Sequence, residues 1–311
     1  MKINTNYNPS ELKEKFAFVN NDEAWTGQWD MTKVIKELFF EDNFDFMDVV
    51  PAVKDIVNLP VLDTSGSYRI NSGMCDFSAS DTEIDSKEYR VMKFKQDRSI
   101  CGDDVRKSYL AAKARAGAWE IVDGETESLI IQQMIDQGKE AISYAVFDRT
   151  NEHGLVYELL ADEDVAKFET AGTYSEPTDV LADLEKAYSE LKCSVNKLDD
   201  LVYMVADDIY RLVRISASLN TEQTRVTFEN GVLRYLGIEV YSYCGMDAGD
   251  IILGRKLNFA KFVDLESDQD IVKVDDKTKE LENKWRASIL FSTNIGYYRS
   301  DEVVYGTLDL S

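Results

Sequence analysis

One histidine, four prolines and four cysteines are spread over 311 residues, and each scarcity removes a class of chemistry. Any Ser/His/Asp or Cys/His relay would have to be built on His153, which sits in the turn-like stretch Asn-Glu-His-Gly and reads as an exposed loop residue. Cys75, Cys101, Cys193 and Cys244 form no Cys-x-x-Cys pair, and no second histidine completes a zinc site, so they read as reduced thiols. There is no Gly-x-Ser-x-Gly elbow, no Gly-x-Gly-x-x-Gly and no glycine-rich loop ending in Lys-Ser or Lys-Thr. Nothing asks for a nucleophile or a bound phosphate.

Long apolar runs are missing too. No window approaches 18 uninterrupted apolar residues and the first 16 residues lack a signal-peptide core, so the expectation is a soluble chain made in the cytoplasm, with no membrane contact. Basic residues are outnumbered, 35 Lys and Arg against 58 Asp and Glu, and the net charge is −23 with no basic run of five. That field repels polyanions and argues against general nucleic-acid binding.

The acids are plentiful but poorly placed for chemistry. Asp103–Asp104, Asp199–Asp200, Asp207–Asp208 and Asp275–Asp276 are sequence neighbours, which point to different faces of a helix or strand and seldom converge on one metal. They read as solvated caps and turns. The expectation is therefore no catalytic residue, no metal site and no cofactor.

What is present is a folding composition, 44% hydrophobic and 11% aromatic, on a chain long enough for two domains or one large irregular one. Asp30 can cap a short helix over Met31–Phe40, and Phe44–Val57, cut by Pro51, continues as an extended arm with helical pieces. Residues 61–88 hold clusters of Ser, Thr, Gly and Asp around isolated Tyr68, Ile70, Met74 and Phe77. So few large apolar side chains cannot offset the entropy of ordering the segment alone. With strand-like Tyr89–Lys95 as one arm, it reads as a long β-hairpin leaning on a neighbour.

Apolar residues recur at three- and four-residue steps from Glu125 to about Phe147, which predicts a helix of roughly 33 Å. A second helix follows Ser175-Glu-Pro-Thr, with Thr178 as N-cap and a stripe of Leu181, Leu184, Ala187, Tyr188 and Leu191. Leu201–Ala206 reads as a buried strand, and Asp207 as the cap of a short helix carrying Ile209, Leu212 and Val213. From Thr224 the chain turns to β. Asn230-Gly231 marks a hairpin, followed by strands near Gly237–Tyr243, Asp250–Gly254, Asp270–Val274, Trp285–Phe291 and Gly296–Val304. The class is α+β, without regular βαβ alternation.

This order of elements resembles the major capsid protein of tailed phages, the Hong Kong 97-type fold. The resemblance is carried by Leu201-Val-Tyr-Met-Val-Ala with Asp-Asp-Ile-Tyr-Arg-Leu after it, by Tyr235–Tyr241 with Met246–Gly254, and by Trp285–Tyr298 with Glu302–Gly306; it spans about residues 30–311. It implies an N-terminal arm (1–60), an E-loop hairpin (61–100), a peripheral domain with a long spine helix (101–175), an axial domain (176–254), and peripheral-domain strands returning to the axial domain (255–311). It also implies self-assembly as hexamers and pentamers into an icosahedral shell that encloses double-stranded DNA without sequence-specific binding. A separate scaffolding protein, a portal and decoration proteins are the implied partners, and the virion, assembled in the host cytoplasm, the implied location.

The short run before the hairpin leaves no room for a cleaved scaffolding domain, so no N-terminal trimming is expected. No cross-linking triplet maps onto the chain. Subunit-interface candidates are Tyr68, Ile70, Phe77, Val91 and Phe94 on the hairpin and its flank, and Trp25 and Trp29 on the arm, with intramolecular packing an open alternative for Val91, Phe94 and the tryptophans. Two other readings remain open: an encapsulin-like nanocompartment shell, and a soluble divalent-metal-dependent enzyme using the acidic pairs. In a shell the charge of −23 opposes assembly, so ionic strength or divalent ions should favour it.

Overall fold

A computed structural model describes residues 44, 46–51, 55–64, 82–101, 124–172, 174, 176–191, 200–218, 225–229, 231–263, 272–276 and 284–308. Trp25, Trp29, Tyr68, Ile70, Phe77 and the helix expected over Met31–Phe40 lie outside them.

The strands are β1 (Asp48–Pro51), β2 (Ile56–Thr64), β3 (Thr82–Arg90), β4 (Met92–Cys101), β5 (Ala166–Glu169), β6 (Leu201–Val205), β7 (Val226–Glu229), β8 (Val232–Tyr235), β9 (Ile238–Ser242), β10 (Ile251–Arg255), β11 (Phe259–Val263), β12 (Val272–Asp276), β13 (Lys284–Tyr297) and β14 (Val303–Thr307). The helices are α1 (Gly124–Phe147), α2 (Leu155–Ala161), α3 (Pro177–Glu190) and α4 (Asp207–Ser218). The chain is α+β, as its residue pattern predicts.

One sheet runs β5-β14-β10-β6-β9-β8-β7. Its central strand β6 is buried at all five positions, and the pleat explains the unbroken apolar run Leu-Val-Tyr-Met-Val. Leu201, Tyr203 and Val205 enter a core with α3 and α4, while Val202 and Met204 enter a second core with α1 and α2. Alternation is lost because both faces are covered. At the other end two tight hairpins follow one another: Glu229 pairs with Val232 and Tyr235 with Ile238. In the second, Leu236 and Gly237 have φ of 51° and 86°, the left-handed pair of a type I′ turn, whose hand matches the twist of the strands.

The other sheet is built on β13. One stretch of β13 pairs antiparallel with β11 and another with β12, while β4 pairs along residues 284–293 and β1 runs parallel to β11. Ala287, Ile289, Phe291, Ile295 and Tyr297 of β13 face the core shared with α1. The chain just before β1 is tied on by aromatic stacking, Phe44 on Tyr243 (4.7 Å between centroids) and Phe46 on Tyr241 (5.5 Å).

Five local expectations are corrected. The stretch Phe44–Val57 contains strand β1 and the start of β2 in place of helical pieces, because Val49 and Val50 find β11 to pair with. Tyr89–Lys95 is two strands parted at Val91, β3 pairing with β2 and β4 with β13. The N-cap of α3 is Glu176, with Pro177 at the first turn, and not Thr178; Asp207 lies inside the first turn of α4. The expected strands at Trp285–Phe291 and Gly296–Val304 are one 14-residue strand, a short 3-10 turn at Ser300–Glu302, and then β14.

Candidate assembly site

Among the described residues β2 and β3 pair only with each other, from Ile56↔Arg90 at the base to Thr64↔Thr82. An isolated two-stranded ladder is marginal in water, so the base needs external support. It has a small core of its own: Leu59, Tyr89 and Val91 are buried against Ala260 and Phe262 of β11. The hydroxyl of Tyr89 donates to the carbonyl of Tyr297 (2.8 Å) and accepts from the Tyr297 N–H (3.2 Å). The phenol thus does for Tyr297 what a neighbouring strand would do. The carbonyl of Arg90 accepts from Asn294 Nδ2 (2.6 Å), which also donates to the carbonyl of His153 (2.9 Å).

A polar latch adjoins this core. Lys87 Nζ donates to Asp162, the C-cap of α2, and to Ser300 Oγ (2.6 Å), and lies 4.0 Å from the centroid of the Tyr297 ring. Asp162 Oδ2 also accepts from Tyr297 Oη (2.8 Å) and Ser300 Oγ (2.7 Å). Burial works against the Asp162 charge, but these donors outweigh it and hold the carboxyl down at about 2. Burial and the Asp162 charge push the Tyr297 hydroxyl far up, so it stays a donor.

The sign of the resulting pH dependence is fixed. A depressed acid stabilises fully above the ordinary aspartate range near pH 4 and loses that contribution as pH falls through about 2. Pepsin cleavage of the hairpin should therefore accelerate between pH 4 and pH 2, whereas Asp162→Asn should already be cleaved rapidly at pH 4. Indistinguishable profiles for the two proteins would remove the latch from the account.

Of the interface candidates, two are described, and both make contacts within the chain. Val91 belongs to the anchoring core, and Phe94 stacks on Phe291 (5.1 Å). Sequence reading missed Lys87, Tyr89, Asp162, Gly296 and Tyr297. A signal existed for one of them, since a glycine inside an apolar strand run often marks a close approach, here that of Tyr89.

The acidic pair at Asp207–Asp208 opens α4, and Asp207 pairs with Arg211 one turn on. Among the described residues no group of three or more His, Cys, Asp or Glu could hold a metal ion, and Cys101 and Cys244 are free thiols. None of the described helices is long and apolar enough to cross a membrane.

Neither a protein-family model nor a curated protein matches the sequence. Solved structures do. A chain of the satellite phage P4 procapsid superposes with a TM-score of 0.54 at 11% identity, covering 89% of this chain and 97% of that one. The capsid of cyanophage P-SCSP1u gives 0.52 at 12% identity (94% and 97% covered), and the capsid of an empty GTA particle gives 0.53 at 11% (96% and 97%). The fold is thus the Hong Kong 97-type capsid fold over nearly the whole chain.

Proposed function

We propose that this protein is the structural subunit of an icosahedral shell of the tailed-phage type, assembling with itself as hexamers and pentamers around double-stranded DNA. The observation that carries the reading is the hairpin: two strands that among the described residues pair only with each other, latched at one end to a body with the capsid fold. In this reading 1–60 is the arm, 61–100 the E-loop, α1 the spine of the peripheral domain, and the seven-stranded sheet the body of the axial domain. The hairpin lies across the peripheral domain of the next subunit, which supplies the support that the composition of residues 61–88 asks for. Tyr68, Ile70, Phe77, Trp25 and Trp29 are the proposed contact residues. Scaffold, portal and decoration proteins would be separate chains, and the virion the final location.

Negative-stain microscopy of the purified protein, combined with limited proteolysis, tests this. Closed shells are expected, with cleavage between residues 61 and 88 rapid in dissociated subunits and slow in shells. Only monomers or small oligomers under all assembly conditions would overturn the reading, and equal cleavage in both states would overturn the role given to the hairpin.

A further inference from the structure

Side chains from three separate parts of the chain meet around the Tyr174 hydroxyl. Tyr174 Oη donates to Asp183 Oδ2 of α3 (2.9 Å), and the Ala171 N–H donates to the same oxygen (2.8 Å). Asp208, in the first turn of α4, brings a second negative charge close enough to act on this hydroxyl. Burial and the two carboxylates push the Tyr174 hydroxyl far up, so it stays protonated and keeps donating. Neither Asp183 nor Asp208 forms an ion pair among the described residues. The nearby bases are engaged elsewhere: Arg211 pairs with Asp207, and Lys186 Nζ donates to the Glu169 carbonyl (2.8 Å).

Two oxygens at this place lack a partner. Thr170, directly after β5, is 7% exposed, and its Oγ1 stands beside the Tyr174 hydroxyl without completing a hydrogen bond to it or to anything else. Asp208 Oδ1 is likewise buried and unpartnered. Buried oxygens are nearly always satisfied, and a carboxylate oxygen is the costliest kind to leave over. The backbone closes in around the threonine. Gly249, with φ of 87°, passes so near that a Cβ there would lie 3.2 Å from Thr170 Oγ1 and 2.8 Å from Gly172 Cα. A side chain at 249 would fill the space beside the hydroxyl.

We infer that Asp183, Asp208 and Thr170 Oγ1 hold a hard divalent cation, calcium, where the end of β5 meets α3 and α4. All the donors are oxygens, which selects hard cations over zinc or copper. Two carboxylates balance the double charge, and the threonine hydroxyl adds a neutral ligand. The donors come from a loop and two helices, an irregular set that suits the flexible coordination of calcium better than the strict octahedron of magnesium. Tyr174 is a positioning residue, because its hydrogen bond holds the Asp183 carboxylate in place. The bound ion ties three elements together and satisfies both orphaned oxygens. The site lies within one subunit, so it is tested without shells, and its failure leaves the shell reading untouched.

Thermal unfolding of the metal-stripped full chain, titrated with calcium at a constant ionic strength of about 0.15 M to screen diffuse attraction to the acidic surface, tests it. The unfolding temperature should rise saturably, as for any ligand that binds only the folded state. With two carboxylates the affinity belongs at the weak end, a Kd on the order of 10⁻⁴–10⁻³ M. Asp208→Asn should weaken it by about tenfold or more, because ligand charge sets calcium affinity, and Thr170→Val should weaken it measurably. Asp207→Asn, one residue away and exposed, should leave it unchanged. Asp208→Asn also predicts a crossing. Without metal it should be at least as stable as wild type, since an unpartnered buried charge has been removed, and with calcium it should be the less stable of the two.

Terbium, a calcium probe that emits when energy passes to it from a nearby aromatic ring, locates the ion. Emission excited through tyrosine should saturate in wild type and be displaced by calcium, and Tyr174→Phe should lose most of it while calcium still raises its unfolding temperature. Equal stabilisation of wild type, Asp208→Asn and Thr170→Val would reduce the effect to general screening of the acidic surface and overturn the site. Terbium emission that survives Tyr174→Phe would place the ion elsewhere and also overturn it. Stabilisation by magnesium and not by calcium would overturn the choice of ion.

Discussion

Replacing Arg149 by methionine is expected to cost about 3–5 kcal/mol of unfolding free energy, the usual penalty for stranding a buried charge. The guanidinium stands just beyond the end of α1 and reaches across to the seven-stranded sheet. Its Nη2 donates to Asp250 Oδ1 (2.7 Å), to Tyr305 Oη (3.2 Å) and to Thr307 Oγ1, and its Nε pairs with Asp247 (2.9 Å). Asp250 is fully buried, and its second oxygen accepts from Tyr305 Oη (3.0 Å). Burial already raises the Asp250 carboxyl above the ordinary range, although Thr307, Arg149 and Tyr305 oppose that shift. Removing Arg149 leaves the burial and takes away a principal counter-charge.

The pH dependence separates this mechanism from mere loss of packing. An acid whose folded pKa is raised contributes its stability below its unfolded value and loses it as pH rises through the folded one. The deficit of Arg149→Met relative to wild type should therefore be larger at pH 7 than at pH 4, in urea titrations of both proteins. Adding Asp250→Asn should recover part of the loss at pH 7, since a neutral amide is cheaper to bury than an unpaired carboxylate. A deficit that is the same at both pH values and unrelieved by Asp250→Asn would reduce Arg149 to a packing residue.

Arg149 also shows where sequence reading stops. The helix that ends just before it was legible, because Ile131, Met134, Ile135 and Ile142 follow the 3.6-residue period and all are buried, although Ala141 on the same expected stripe is exposed. So was the strand at Leu201–Val205, whose unbroken apolar run reports two covered faces. The ion pair was not, because Arg149 and Asp250 are 101 residues apart and neither sits in a local pattern that marks a partner. The same holds at the hairpin anchor, where Lys87 and Ser300 are 213 residues apart. Local periodicity fixes which face is apolar, and says nothing about which distant polar group completes a contact.

Boundaries failed where pairing overrides composition. Tyr89-Arg-Val-Met-Lys-Phe-Lys looks like one strand because its residue types favour strands throughout, yet Val91 lies between two ladders that belong to different sheets. In the same way Ser292, Thr293 and Asn294 look like a break between two strands. They are the middle of β13, with Thr293 Oγ1 donating to the Phe262 carbonyl (3.0 Å) and Asn294 spanning to Arg90 and His153. Polar residues inside a strand were spent on tying the hairpin and loops to it.

Gly296→Val should be the most disruptive single change for assembly that leaves the interface residues untouched. A Cβ at this position would lie 2.7–2.9 Å from three ring atoms of Tyr89, closer than such contacts occur, so the ring must move. The ring has nowhere near to go. Tyr89 is 3% exposed, its centroid is 5.5 Å from that of Phe262 and 6.2 Å from that of Tyr297, and its hydroxyl holds both backbone groups of Tyr297. Displacing it costs about 1–3 kcal/mol of overpacking strain and also breaks the contact that sets the angle at which β3 leaves the body. The subunit should stay folded, because the two larger cores do not include Tyr89, while shell yield collapses. Gly296→Ala should show the same effect more weakly. In a Tyr89→Ala background either substitution should cost much less, which a double-mutant cycle on unfolding free energy reads directly. Additive costs across that cycle, or normal shells from Gly296→Val, would show that the Tyr89 anchor does not aim the hairpin.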